Sequence, residues 1–249
     1  MTNIGVFDSG LGGLTVLKEL SKKHKANYFY FGDNKNVPYG DKSSQEIINL
    51  SKNIVKFLLK KDIDFFVVAC NTVSVLAIDE LRKTFDKKFI SITDEAVKEV
   101  LNKKGGVFVM ATRATCLKHG YKEKIQSLSD KKVYEKACPS LVSFIENGEV
   151  CGKNIENDLK KYLAFANEKK IENIILGCTH YPIIENEIKK NLTYDANIID
   201  PAKVLARDIV FDEDENLNIE IYMTDVNEIS QKMTNIIMER EIKIKKACN

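Results

Sequence analysis

Short apolar runs recur along this chain, and most are followed by a longer segment with helical periodicity. This alternation constrains the fold more than any other feature. The runs occupy residues 4–7, 28–31, 65–69, 89–92, 107–110, 174–177 and 198–199, and they read as buried strands. Between them, residues 14–20, 43–60, 73–84, 155–167 and 183–190 space their apolar side chains as amphipathic helices do. Ser43 with Glu46 matches a capping box, and Asp225 with Glu228 predicts a similar start for the last helix. Strands alternating with helices predict an α/β fold with mainly parallel sheets, and such sheets bind ligands beyond the carboxyl ends of their strands.

The chain carries two related halves. Val67-Val68-Ala69-Cys70-Asn71-Thr72 ends a strand and opens a helix, and Ile175-Leu176-Gly177-Cys178-Thr179-His180 repeats the pattern, with Pro182 suited to a first helical turn. Upstream of each lies another strand-to-turn element, Val6-Phe7-Asp8-Ser9-Gly10 in one half and Val109-Met110-Ala111-Thr112 in the other. No linker rich in Gly, Pro or Ser separates them. The expectation is two pseudo-symmetric α/β lobes, residues 1–93 plus 208–249 and residues 94–207, with the active site in the cleft between them.

With 249 residues, 38 Lys+Arg against 36 Asp+Glu and a formal charge of +2, the chain is too nearly balanced to favour a nucleic-acid or membrane partner. The basic run Lys243-Ile244-Lys245-Lys246 reads as a solvated tail. No apolar stretch reaches the roughly 20 residues of a membrane helix, and Met1 runs almost directly into the first strand without a secretion signal. The expected location is the cytoplasm, where thiols stay reduced. The six cysteines form no C-x-x-C pair, which argues against a zinc knuckle or a disulfide framework.

Each cysteine is then a small buried hydrophobe or a reactive thiol. Cys70 and Cys178 follow apolar strands and precede helix signals, where exposed N–H groups and the helix dipole favour a thiolate able to act as a base. Cys116, Cys138, Cys151 and Cys248 lack that setting and read as unreactive. His180, two residues after Cys178, is placed to adjust the thiol or touch substrate, unlike His24 and His119. Asp8 and Ser9 end the first strand and point toward the cleft or cap a helix. The loop Gly10-Leu11-Gly12-Gly13 with Asp33 downstream has the outline of a dinucleotide site, but Thr15 stands where the third glycine belongs. A cysteine hydrolase using Cys70 and His180 would leave Cys178 without a role.

Taken together, these segments resemble the glutamate racemases of the cofactor-independent aspartate/glutamate racemase superfamily. The resemblance runs through Gly5-Val6-Phe7-Asp8-Ser9-Gly10-Leu11-Gly12-Gly13-Leu14-Thr15-Val16, Gly32-Asp33 with Val37-Pro38-Tyr39-Gly40, and Ala69-Cys70-Asn71-Thr72. It continues in Ala111-Thr112-Arg113-Ala114-Thr115, Ala137-Cys138-Pro139 with Glu146, and Gly177-Cys178-Thr179-His180-Tyr181-Pro182. It implies interconversion of L- and D-glutamate for peptidoglycan synthesis without PLP, metal or nucleotide. Cys70 would take the α-proton from D-glutamate and Cys178 from L-glutamate, the opposite thiol returning a proton to the other face. The resemblance further implies that Asp8 assists Cys70 and His180 assists Cys178. Ser9, Tyr39, Gly40, Asn71, Thr72, Thr112 and Thr179 match substrate-holding positions, and Glu146 matches one near the substrate amine.

Asn34 and Asn36 depart from the family's usual residues, and the last dozen residues match poorly. The near absence of residues before the first strand argues against an N-terminal activation segment. The rival readings are an aspartate or other amino-acid racemase, and a regulatory protein on the same fold. A homodimer is left open.

Overall fold

The computed structural model describes residues 2–247. Its ten strands are β1 (Asn3–Asp8), β2 (Asn27–Gly32), β3 (Phe65–Val68), β4 (Lys88–Ser91), β5 (Val107–Ala111), β6 (Val133–Ala137), β7 (Asn173–Gly177), β8 (Asn197–Ile199), β9 (Asn218–Met223) and β10 (Ile244–Lys246). They form a six-stranded sheet, order β10-β9-β2-β1-β3-β4, and a four-stranded sheet, order β6-β5-β7-β8. Every pairing is parallel, from the β1–β2 register of Asn3 with Asn27 to that of β7–β8.

Parallel strands need helical crossovers, which cover both faces of a sheet and explain runs that are apolar throughout. In the larger sheet Ile4, Val6, Tyr28, Tyr30 and Val67 pack into one core while Phe7, Phe31, Phe66 and Val68 pack into the other. The smaller sheet splits the same way, with Phe108, Met110, Ile174 and Leu176 on one face and Val107, Val109 and Ile175 on the other. Strands β3, β5 and β7 bury every residue and β1 all but Asn3, and the sequence pattern that marked them follows from that double burial.

The two sheets share one winding. β2-β1-β3-β4 and β6-β5-β7-β8 have the same order, so the chain reverses its direction of travel between β1 and β3 in one sheet and between β5 and β7 in the other. At such a reversal the connections leave on opposite faces, opening a crevice at the carboxyl ends of the two strands. Asp8 ends β1 and Cys70 follows β3; Thr112 follows β5 and Cys178 follows β7. All four lie at these reversal points.

Several sequence expectations need correction. The segment 73–84 is two helices, Asn71–Leu76 and Ile78–Thr84, broken at Ala77. Residue 92 opens helix Ile92–Leu101 rather than ending β4. The last helix, Glu228–Met238, is capped by Asn227 and Ser230, not by Asp225 and Glu228; the Asp225 carboxylate instead accepts from Asn227 Nδ2 at 2.9 Å. The basic run near the end is not a solvated tail. It forms β10 beside β9, with Ile244 buried and Lys245 paired to Glu220 at 3.0 Å. The Ser43–Glu46 capping box is present as expected. No helix among the described residues is long and apolar enough to cross a membrane.

Candidate active site

Cys70 is the N-cap residue of helix Asn71–Leu76, its sulfur 3.6 Å from Ser9 Oγ, to which the thiol donates. Burial pushes this thiol up to about 12, and the neighbouring Asp8 charge adds to the shift. The Val73 N–H and the Ser9 contact pull the other way and lose. A helix start was expected to favour a thiolate here. A short helix does not overcome complete burial beside a carboxylate.

Cys178 differs. The segment after it is a turn of 3-10 helix, Tyr181–Ile184, so the dipole of a long helix is absent. A buried relay takes its place: Cys178 Sγ lies 3.6 Å from His180 Nδ1, and His180 Nε2 lies 2.6 Å from Glu146 Oε1. Burial alone would push His180 down, but its bonds to Cys178 and Glu146, with their negative charge, raise it well above the ordinary histidine value. An imidazolium held this way directs one N–H at the sulfur and stabilises negative charge there.

Asp8 is fully buried and does not reach the cavity wall. Its Oδ2 accepts from Gly10 N and Gly13 N, both at 3.0 Å, and its Oδ1 accepts from Thr179 Oγ1 at 3.2 Å. Burial raises its pKa despite the opposing charge of His180 and the two backbone N–H groups. The glycine loop therefore wraps a carboxylate of its own chain rather than a pyrophosphate. A Cβ on Gly13 would sit 2.3 Å from Asp8 Cβ, and one on Gly12 2.5 Å from both His180 Nδ1 and Thr179 Oγ1. Gly13→Ala should thus destabilise the protein by about 1–3 kcal/mol, measured by urea unfolding; an unchanged midpoint would refute this account of the loop.

Ser9, Tyr39, Gly40, Cys70, Asn71, Thr72, Thr112, Cys178, Thr179 and His180 line one cavity of about 460 Å³, its open mouth included. Asn71 Oδ1 accepts from Tyr121 OH, which turns the amide NH₂ the other way, and Nδ2 has no partner among the described residues. Thr72 and Thr112 hydroxyls meet at 2.9 Å, with Thr115 3.0 Å from Thr112. Tyr39 donates to Asp33 at 2.7 Å, and Asn36, one of the departures from the family pattern, binds both Asp33 oxygens at 2.9 and 3.0 Å.

Glu146 is not on this wall. It opens onto a second cavity beside Leu11, Val37 and Asn227, its Oε1 also accepting from Leu11 N at 2.9 Å. Pro38, Asp41, Arg113, Pro139 and Val142 complete the cavity wall; Pro38, Arg113 and Pro139 lie within motifs the sequence showed without being singled out, whereas Asp41 and Val142 carried no signal beyond their neighbourhood to those motifs. Thr115, within a motif the sequence showed, and Tyr121, which no sequence signal marks, act one layer behind. Among the remaining cysteines, Cys138 is buried and Cys151 exposed, neither lining the cavity, and Cys248 lies outside the described residues.

A family model for Asp/Glu/Hydantoin racemase matches residues 5–209, a stretch that contains both cysteines and the whole cavity wall. The chain belongs to this racemase family. A glutamate racemase of Persephonella marina is 36% identical to this family member, the match covering 98% of the chain and 96% of the relative. Among solved structures, the Francisella tularensis glutamate racemase in complex with D-glutamate superimposes with a TM-score of 0.89 at 32% identity, over 99% of this chain and 97% of that one. A Bacillus anthracis glutamate racemase gives 0.91 at 29% identity, over 99% and 97%. The α/β architecture of parallel sheets is thus that of the racemase family.

Proposed function

We propose that the protein interconverts L- and D-glutamate by proton transfer at Cα between Cys178 and Cys70. One observation carries this reading: two buried thiols reach the same cavity from the corresponding reversal points of two sheets with the same winding. Inverting a stereocentre by proton transfer needs bases on opposite faces, because a single base returns the proton to the face it left. Cys178, backed by the His180 imidazolium, takes the α-proton of L-glutamate, and the Cys70 thiol delivers its own proton to the opposite face. Starting from D-glutamate the roles reverse, and the substrate ammonium, entering beside Cys70 and Asp8, favours the Cys70 anion against its burial.

Ser9, Asn71, Thr72, Thr112 and Thr179, with the Tyr39–Gly40 turn, supply neutral donors for the two carboxylates. The unpaired Asn71 Nδ2 is the donor most in need of an acceptor. Donors around the α-carboxylate stabilise the charge that develops as Cα loses its proton. Asp8 acts on Cys70 by its charge and through the loop it holds. Glu146 acts through His180. We assign residues 1–93 plus 208–249 and residues 94–207 to the two lobes. The relatives' names support glutamate over aspartate, and supply of D-glutamate for peptidoglycan in the cytoplasm follows from that family role.

Incubation with L-glutamate in D₂O without added cofactor tests the reading. D-glutamate carrying deuterium at Cα is the expected product, with aspartate unchanged. A chain that neither inverts nor exchanges the α-proton of glutamate is not a glutamate racemase, and inversion of aspartate instead would move it to the other branch.

A further inference from the structure

The cavity wall holds three charged side chains, Asp41, Arg113 and His180; the rest are neutral. His180 is committed to Cys178 and Glu146. Arg113 is different. It opens helix Arg113–Leu117 just beyond the carboxyl end of β5, an inner strand of the smaller sheet, and faces Asp41, which closes the turn Tyr39–Asp41 after β2 of the larger sheet. Arg113 Nη1 and Asp41 Oδ1 lie 3.8 Å apart, with 59% and 54% of their side chains exposed. A pair so long and so wet contributes little stability. Its worth lies elsewhere.

Directly beneath it the two halves of the chain close hard on each other. A Cβ on Gly40 would lie 2.9 Å from Thr112 Cβ, and the Thr72–Thr112 hydrogen bond spans the same seam. Cys70, Asn71, Thr72 and Cys178, on the same cavity wall, are all buried. Arg113, one residue from Thr112, is the exposed cation beside this seam.

We propose that Arg113 is the capture residue for the incoming amino acid and that Asp41 is its exchangeable counter-charge. The inference rests on the glutamate racemase reading: a dicarboxylic amino acid has two carboxylates and one ammonium, hence a net negative charge, while the inner wall offers it neutral donors. Arg113 is the cation of the mouth, where a low-dielectric cleft focuses its field outward. An arriving carboxylate displaces Asp41 in a like-for-like exchange of guanidinium partner. Asp41 returns to Arg113 once the substrate has moved inward and the seam has closed, so the site is not held open by an unpaired cation.

Steady-state kinetics with both enantiomers over a range of ionic strength tests this, with glutamate binding measured by calorimetry alongside. Arg113→Gln is expected to raise KM roughly tenfold, leave kcat within about twofold, weaken glutamate binding in parallel, and flatten the fall of kcat/KM with salt. Arg113→Lys restores most of the salt dependence, which a merely structural role would not do. Asp41→Asn lowers KM, because the competitor for Arg113 is gone. Wild-type KM, glutamate affinity and salt dependence in Arg113→Gln would overturn the proposal, and so would a loss confined to kcat. Absence of wild-type turnover would sink the racemase reading alone, since the calorimetric comparison still reports whether Arg113 captures glutamate.

Discussion

Cys70→Ser and Cys178→Ser each lower racemisation by about 10²–10⁴-fold, the range expected when a positioned acid/base group is lost. Serine preserves the shape of the site, and both positions are buried without a structural bond that serine cannot replace, so the fold should survive and circular dichroism should be unchanged. What changes is acidity, because a hydroxyl is a far poorer base than a thiol. The two enantiomers have equal free energy in water, so the ratio of their kcat/KM values stays at unity in every variant. Asymmetry must therefore appear in isotope exchange. In D₂O, Cys178→Ser retains the base facing D-glutamate and should wash out the α-proton of that enantiomer with retention, while Cys70→Ser should do so with L-glutamate. Wild-type racemisation by either variant would eliminate the two-base mechanism.

Breaking the relay behind Cys178 should cost nearly as much. His180→Asn removes the cation aimed at the sulfur and leaves the Glu146 carboxylate without its ring partner, for an expected loss of about 10²-fold in kcat. Glu146→Gln keeps the imidazole and removes only the anion behind it. The His180 pKa is raised by Cys178 and Glu146 against the effect of burial, so removing one of those charges must lower it. The imidazolium is then lost at a lower pH, and the alkaline limb of kcat/KM moves to more acidic values. The same linkage affects stability. A histidine whose folded pKa exceeds its unfolded value contributes fully below the unfolded value, and that contribution is lost as pH rises through the folded one. Glu146→Gln narrows that window. An alkaline limb at its wild-type position in Glu146→Gln would show that the carboxylate does not act through His180.

The alternation of buried strands and amphipathic helices was legible in the sequence because double burial leaves a one-dimensional trace: a strand covered on both faces must be apolar at every position. Cys70 and Cys178 were legible for a related reason, since a strand-to-turn junction at the carboxyl end of a buried strand is where parallel sheets place chemistry. Three strands left no such trace. β6 reads Val-Tyr-Glu-Lys-Ala and β10 ends in two lysines; both lie at sheet edges, where polar side chains meet solvent and the apolar trace fades, and β9, inside the sheet, is buried over only half its length.

The sequence by itself determined the class of fold and marked Cys70, Cys178 and the residues around them as candidates, because each depends on neighbours within a few positions along the chain. Only the tertiary structure decided that Asp8 lies behind the glycine loop, that Glu146 reaches Cys178 through His180, that Tyr121 turns the Asn71 amide, and that Asp41 meets Arg113 across the mouth. Apart from the local hold of Asp8 on its loop, these are contacts between segments dozens of residues apart. Their energies come from burial and charge in a particular three-dimensional arrangement, and a carboxylate in the sequence looks the same whether it will face substrate, a histidine or a backbone amide.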